Sequence, residues 1–370
     1  MNSDFSSRAA LITYLETFFL ERPDLHNRLA SLILTHPHID HTRSVRDVLL
    51  RYRPRNVVTN GMTTGSGRYG QIAANNYVDA ADATPTPDDD VGFRAVRVSD
   101  IPAGGLTDDV IDPVNCGSVD PDIRVLWGLV DGNTSLDAEA LSNPNNNSVA
   151  VRVSIGGSSV LLTGDLEDQV IPLFLQKYAG TDVLDVDIYQ VGHHGSANGT
   201  TLPLVQAMSP EYAVFSMGSP DREALWTAFA YGHPRLNIVR MLEAEVTGTR
   251  EATQVQAALR PRRFRALSET HGLFATGWDS DLVFSADGHG GFAPPAQAGG
   301  PEPPALVNAN TATVGELERL PNIGAVRAAA IVAYRLQHGP FVSLSDLDHV
   351  PGIGPATLSR LRDLVTFGQH

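Results

Sequence analysis

Short apolar runs set off by polar and turn residues recur through much of the chain: Leu29–Thr35, Val149–Ile155, Val160–Thr163, Val186–Val191 and Tyr212–Ser216. Runs of this length read as buried strands. Ala9–Glu21 and Asn237–Val246 carry their apolar residues at helical spacing instead. Strands interleaved with helices predict an α/β sandwich or layered fold. Asn60–Asn147 is rich in Gly, Asp, Asn, Thr and Pro, which predicts long surface loops around a few strands. From Ala286 to Ala305 Gly and Pro displace the apolar periodicity, and the segment reads as a linker. Beyond it Thr313–Arg319, Ala325–His338 and Pro355–Thr366 have helical spacing. The expected organisation is a larger α/β domain over 1–285, a linker over 286–305, and a small all-α domain over 306–370.

Composition changes this picture in three ways. The chain's 370 residues, 42% of them hydrophobic, can bury more than one core. Cys116 is the single cysteine, so an internal disulfide and a cysteine-rich zinc site are both excluded, and any metal falls to His and carboxylate. The net charge of −15 argues against nucleic-acid binding by long-range attraction. That excess lies in residues 1–305, because residues 306–370 hold five Arg against five Asp and Glu. Lys177 is the only lysine. The opening residues have no basic stretch ahead of an apolar core, and Glu16 interrupts Ala9–Leu20, so neither a signal peptide nor a membrane segment is read and the chain as it stands is expected in the cytoplasm.

Candidate chemistry concentrates at strand ends. Thr35-His36-Pro37-His38-Ile39-Asp40-His41 follows directly on the apolar run before it. Imidazole nitrogen and carboxylate oxygen suit Zn, Mn or Fe. The spacing lets His36 and His38 reach one metal while Asp40 and His41, on the following turn, reach a second. Val160-Leu-Leu-Thr-Gly-Asp165 ends a strand in a carboxylate able to bridge two ions, and Val186–Val191 is followed by Gly-His193-His194-Gly-Ser196. Adjacent histidines point in different directions, so one can bind metal while the other faces substrate.

Over residues 8–285 the chain resembles the metallo-β-lactamase superfamily, and within it the hydrolase domain of ComEC-type DNA-uptake proteins. The resemblance rests on Thr35–His41, on Asn145-Asn-Asn-Ser148-Val-Ala-Val with Leu162-Thr-Gly-Asp165, on Val191-Gly-His-His-Gly-Ser196 and on Tyr231-Gly-His233-Pro234. It implies an αββα sandwich with His36, His38, Asp40, His41, Asp165 and one of His193 and His194 as metal ligands, and we favour His194. It also implies a catalytic set of Asp40, His193 and His233, with both histidines toward a scissile phosphate. His233 reads equally as a loop residue before Pro234. The pattern departs from the family in two places. No histidine occurs from Thr42 to Gly164, where a further ligand is usual, so the His36/His38 metal is expected to be weak or absent, and Asn147 is a poor substitute. The family's first β-hairpin has little room ahead of the cluster; the chain reads as N-terminally short, which leaves open a lost or misassigned start that could include a secretion signal.

Leu320-Pro-Asn-Ile-Gly324 and Val350-Pro-Gly-Ile-Gly354 are two copies of one turn, each opening a helix. Backbone N–H groups and the positive helix end can grip phosphate oxygen without side-chain charge. Leu306 to Phe367 resembles the helix-hairpin-helix domain of ComEA-type DNA receptors, which implies non-specific DNA contacts from Asn322, Ile323, Gly324, Gly352, Ile353 and Gly354. A helical protein-interaction domain is the alternative. Together the two parts point to a phosphodiesterase, a DNase or DNA-processing hydrolase related to competence, using one or two Zn2+ or Mn2+ ions. The rival readings are a metallo-hydrolase of some other ester and a non-catalytic DNA-binding protein with a degenerate metal site.

Overall fold

Successive residues of a strand face opposite sides, so a strand between two layers must be apolar on both. Val57 and Val58 are each fully buried for this reason. In the computed structural model they belong to a parallel sheet of β1 (Leu32–Ile33), β2 (Asn56–Thr59) and β3 (Gly92–Ala95). The structure describes residues 7–83, 90–117, 119–132, 135–223, 225, 227–286, 291–295, 307–317, 320, 323–354, 357–358, 361 and 364–367. Next come β4 (Pro121–Trp127), β5 (Ala150–Ile155), β6 (Ser158–Leu162), β7 (Ile188–Gln190) and β8 (Tyr212–Phe215). A hairpin of β9 (Thr249–Arg260) and β10 (Arg263–His271) precedes β11 (Leu273–Ala275). The larger sheet runs β11-β8-β7-β6-β5-β4, parallel from β11 to β6 and antiparallel beyond.

Val58 joins Val96, Val125, Val149 and Val151 in a cluster that ties the two sheets together. On the other side of β2, Val57 packs with Leu34, Val45, Leu49, Ala74 and Val78, so the helices Val45–Tyr52 and Arg68–Ala83 cover the smaller sheet. The larger sheet is covered through Phe174, Leu204, Val205, Met208, Ile238, Val239 and Leu242, from the helices Ile171–Lys177, Leu202–Met208 and Leu236–Glu245. The order of layers is α, β, β, α, as the resemblance implied.

Two features depart from the sequence expectation. Asn60–Asn147 holds β3 and β4 among loops as expected, and it also contains an unexpected sixteen-residue helix, Arg68–Ala83. Its buried residues Gln71, Ala74 and Val78 recur at helical spacing, but small and polar side chains hid the pattern. The supposed linker also begins too early. β12 (Ser285–Ala286) pairs with β13 (Phe292–Ala293), Phe292 packs on Phe284 at 6.5 Å, and Ser158 Oγ donates to Gly291 O at 3.0 Å. The chain divides by contact near 296, with residues 287–290 and 296–306 outside the described set. The C-terminal unit is the small helical domain that the sequence predicts. The helices Val314–Leu317 and Ala325–His338 share a core of Leu317, Leu320, Ile323, Ala328, Ile331, Leu347, Val350, Ile353 and Leu361, and the parallel pair β14 (Val307–Asn308) and β15 (Val365–Thr366) clasps its two ends. Of Pro355–Thr366, only Thr357, Leu358 and Leu361 are described as helical.

Among the described residues no helix is long and apolar enough to cross a membrane, and ahead of β1 they form the helix Ser7–Glu21 and a short 3-10 turn, Pro23–Leu25.

Candidate metal centre and the terminal turns

β6, β7 and β8 are parallel, so Asp165, the His193-His194 pair and Ser216 all emerge at one edge of the larger sheet. Val149 N–H donates to Thr35 O at 2.8 Å, which fixes the start of the His36–His41 segment against the same edge. Gly67 and Gly70 let the Arg68–Ala83 helix close on this segment: a Cβ at either would collide with Thr42, and at Gly67 also with the His38 backbone. Thr42 Oγ1 donates to His38 O at 2.9 Å and to Gly67 O at 2.8 Å.

Asp165 is the focus. Its Oδ2 lies 3.2 Å from His41 Nε2, 3.7 Å from His36 Nε2, 3.7 Å from His194 Nε2 and 3.8 Å from His193 Nε2. His194 Nε2 is 3.4 Å from Asp40 Oδ2 and 3.3 Å from His41 Nε2. Two donor groups result, Asp40 with His41, Asp165 and His194, and His36 with His38 and Asp165. Asp165 belongs to both. His36 Nε2 is buried and has no hydrogen-bond partner, an expense that a metal ion would remove. Imidazole nitrogens and carboxylate oxygens converging on that atom fit a divalent cation.

Second partners orient these donors. His194 Nδ1 donates to Ser216 O at 2.6 Å, which turns Nε2 toward Asp165. Thr35 Oγ1 lies 3.2 Å from both His36 Nδ1 and His41 Nδ1. Ser148 Oγ is 3.2 Å from His36 Nδ1 and accepts from Asp165 N–H at 3.1 Å. Sequence reading had quoted Thr35 and Ser148 only as motif positions and had missed Glu167 and Ser216. Glu167 Oε1 lies 3.5 Å from His193 Nδ1. Asn147, the possible substitute ligand, is spent elsewhere: its Oδ1 accepts from Val130 N–H at 2.7 Å, and its Nδ2 donates to Leu141 O and Asn143 O.

The turn Gly192–Gly195 sets the two histidines apart. His193 and His194 take φ of 50° and 55°, left-handed values that cost a non-glycine residue about 1 kcal/mol or more each. His193 N–H donates to Gly164 O at 3.0 Å and holds the turn beside Asp165. His233 stands outside both donor groups, with its ring 6.0 Å from His193 and stacked on Tyr231 at 6.1 Å.

Charge follows from this packing. Burial, and then the neighbouring His41, hold the His36 ring neutral, well below the usual range. Burial would raise Asp165, yet the fields of His194, His41 and His36 outweigh it and keep the carboxylate ionised. Burial likewise favours neutral His194, but the Asp165 charge and the Asp40 hydrogen bond push it up to about 9. His233 is pushed down to about 3 by burial and by the charges of His194 and His193.

In the C-terminal unit the two turns superpose in their bonding: Ile323 N–H donates to Leu320 O and Ile353 N–H to Val350 O, each at 3.0 Å. Both isoleucines are core residues, 2% and 5% exposed. Their side chains are therefore committed to the core, and each amide closes its own turn. Gly324 is the N-cap of Ala325–His338, and a Cβ at Gly324 or Gly354 would meet open space. Gly352 has φ of 87°. Asn322 lies outside the described residues.

Comparison with known proteins agrees with both halves. Residues 304–366 match the helix-hairpin-helix motif. A stretch of 179 residues is 28% identical to Competence protein ComA of Neisseria gonorrhoeae, covering 48% of this chain and 25% of that protein. Over 109 residues the chain is 29% identical to ComE operon protein 3 of Bacillus subtilis, covering 30% of the chain and 13% of that protein. Over 62 residues it is 40% identical to ComE operon protein 1 of Bacillus subtilis, covering 17% of the chain and 30% of that protein. The chain thus spans no more than about a quarter of the first two relatives. Residues 27–219, which carry every donor named above, match the metallo-beta-lactamase superfamily, and the chain belongs to that superfamily.

Proposed function

We infer that the chain is a metal-dependent phosphodiesterase acting on nucleic acid, with a C-terminal unit that grips the DNA backbone. The observation that carries the hydrolase half is the convergence of imidazoles on the buried Asp165 Oδ2, with the buried His36 Nε2 left unpartnered. His36, His38 and Asp165 would hold one ion and Asp40, His41, Asp165 and His194 another, with Zn2+ or Mn2+ suited to the donors. Such an ion supplies Lewis-acid charge and brings water toward ionisation near neutral pH.

The chain's own residues do the rest. Ser148, Thr35 and Ser216 fix the rings, so no reorganisation is needed when charge develops. His193 faces Glu167 through Nδ1, which leaves Nε2 to pass a proton to a leaving oxygen. His233, held neutral, fits a hydrogen-bonding role at the phosphate better than that of proton donor. Names of the relatives, Competence protein ComA and the ComE operon proteins, support a substrate in the handling of DNA. The motif match and the open N-cap at Gly324 support backbone-directed DNA binding.

Rates on a nitrophenyl phosphodiester, a lactam and single- and double-stranded DNA, measured with added Mn2+ or Zn2+, decide the reading. Metal-dependent cleavage of the diester and of DNA is expected. Turnover of the lactam alone would replace the substrate class, and no bound metal would reduce the chain to a DNA-binding protein.

A further inference from the structure

Four arginines fall within six residues at the tip of the β9–β10 hairpin: Arg260, Arg262, Arg263 and Arg265. All four are exposed, and none forms an ion pair among the described residues. Arg260 and Arg263 are direct cross-strand partners. Like charges set opposite each other on a sheet repel, so the fold gains nothing from this pair, whereas an anion laid across it would relieve the repulsion. The patch sits in a chain of net charge −15, which makes it a local feature rather than a general basic character.

The tip is fastened to the segment that carries His233. Arg262 N–H donates to Phe229 O at 2.9 Å, and Ala258 N–H donates to Pro234 O at 2.8 Å. Phe264 stacks on Phe229 with ring centroids 6.0 Å apart. Gly232, at φ of 75°, leaves a Cβ no room against Pro261. Since His233 lies beside His193, contacts run unbroken from the arginines to the histidine cluster.

We propose that Arg260, Arg263 and Arg265 hold the phosphodiester backbone of a nucleic-acid strand beside the metal centre. The proposal rests on the phosphodiesterase reading above and adds the groups that would select a polymer over a small ester. Guanidinium groups pair with phosphate through a fork of donors and carry no sequence information. A strand held this way would leave one phosphate at the histidines and the next ones over the hairpin.

The test replaces all three residues with serine in the full chain (Arg260→Ser, Arg263→Ser, Arg265→Ser), leaving Arg262, whose backbone anchors the turn. Folding is checked by circular dichroism and by hydrolysis of a nitrophenyl phosphodiester, too short to reach the hairpin. The ratio of oligonucleotide to small-ester kcat/KM should fall at least about tenfold. The dependence of log affinity for a single-stranded oligonucleotide on log salt should flatten by about two, three contacts at roughly 0.7 each. An unchanged ratio and slope would overturn the proposal. So would loss of binding to phosphatidylglycerol vesicles with oligonucleotide binding intact, which would make the patch a lipid contact. If the unaltered protein cleaved no oligonucleotide, the nuclease reading would fail by itself, and the salt slope of binding would still decide the hairpin.

Discussion

Ser148 Oγ touches both His36 Nδ1 and the Asp165 amide, and the residue is fully buried, so one hydroxyl aligns donors from two strands. Loss of such an orienting partner commonly weakens metal binding about 10–100-fold. Ser148→Ala should therefore lower metal affinity in that range, read by competition with a chromogenic chelator, while the fold survives. His194 makes a second prediction. In the absence of metal its pKa is pushed up to about 9, so uptake at neutral pH must displace a proton. Affinity should rise with pH through the neutral range and level off near that value, and calorimetry in buffers of different ionisation heat should show the proton released. The same raised value stabilises the metal-free fold fully below the ordinary 6.5, and that contribution is lost as pH climbs through about 9. In the C-terminal unit Gly324→Val and Gly354→Val point a side chain into open space, so they should cost about 1 kcal/mol or less in stability yet weaken DNA binding by blocking the backbone's approach to phosphate.

At the scale of elements, the site depends on how closely one helix meets one loop. Gly67→Ala places a methyl group against Thr42 and the His38 backbone, and overpacking of this kind typically costs about 1–3 kcal/mol. The variant should melt several degrees lower and hold metal more weakly than the native chain, whereas Gly315→Ala, with nothing near its Cβ and no left-handed φ, should do neither. The strand ends that present Asp165 and His193-His194 were legible because an apolar run followed by Gly and a polar residue is a local signal. So were β5, β7 and β8, whose runs the structure reproduces within two residues at either end. The Arg68–Ala83 helix was not legible, since Gln71 and Ala74 carry its buried face where long apolar side chains would have announced it. The orienting groups Ser148, Thr35, Ser216 and Glu167 were also beyond sequence, for a lone hydroxyl, carbonyl or carboxylate has no spacing of its own and acquires meaning only when the sheets bring it to a ring nitrogen. Asn147, read as a poor substitute ligand, instead closes the 141–147 turn.

At the scale of the whole molecule, the two donor groups are unequal, four residues in one and three in the other. Purified protein dialysed against a mild chelator should retain fewer than two ions per chain, and two stoichiometric ions would show that a further residue completes the smaller group. Because residues 5–296 and the C-terminal unit are separately compact, removing 306–370 should weaken binding to long duplex DNA and flatten its salt dependence, with the ester rate kept. Two to four phosphate contacts in that unit correspond to a lost slope of about −2 to −4. The central claim is that metal-centred phosphodiester hydrolysis resides in the larger unit and does not depend on the residues that grip DNA, and Asp165 is the residue both donor groups share. The most direct test measures DNA cleavage and DNA affinity on the same Asp165→Ala protein: the rate should fall by about three orders of magnitude or more while affinity changes less than about threefold, and near-normal turnover would contradict the account.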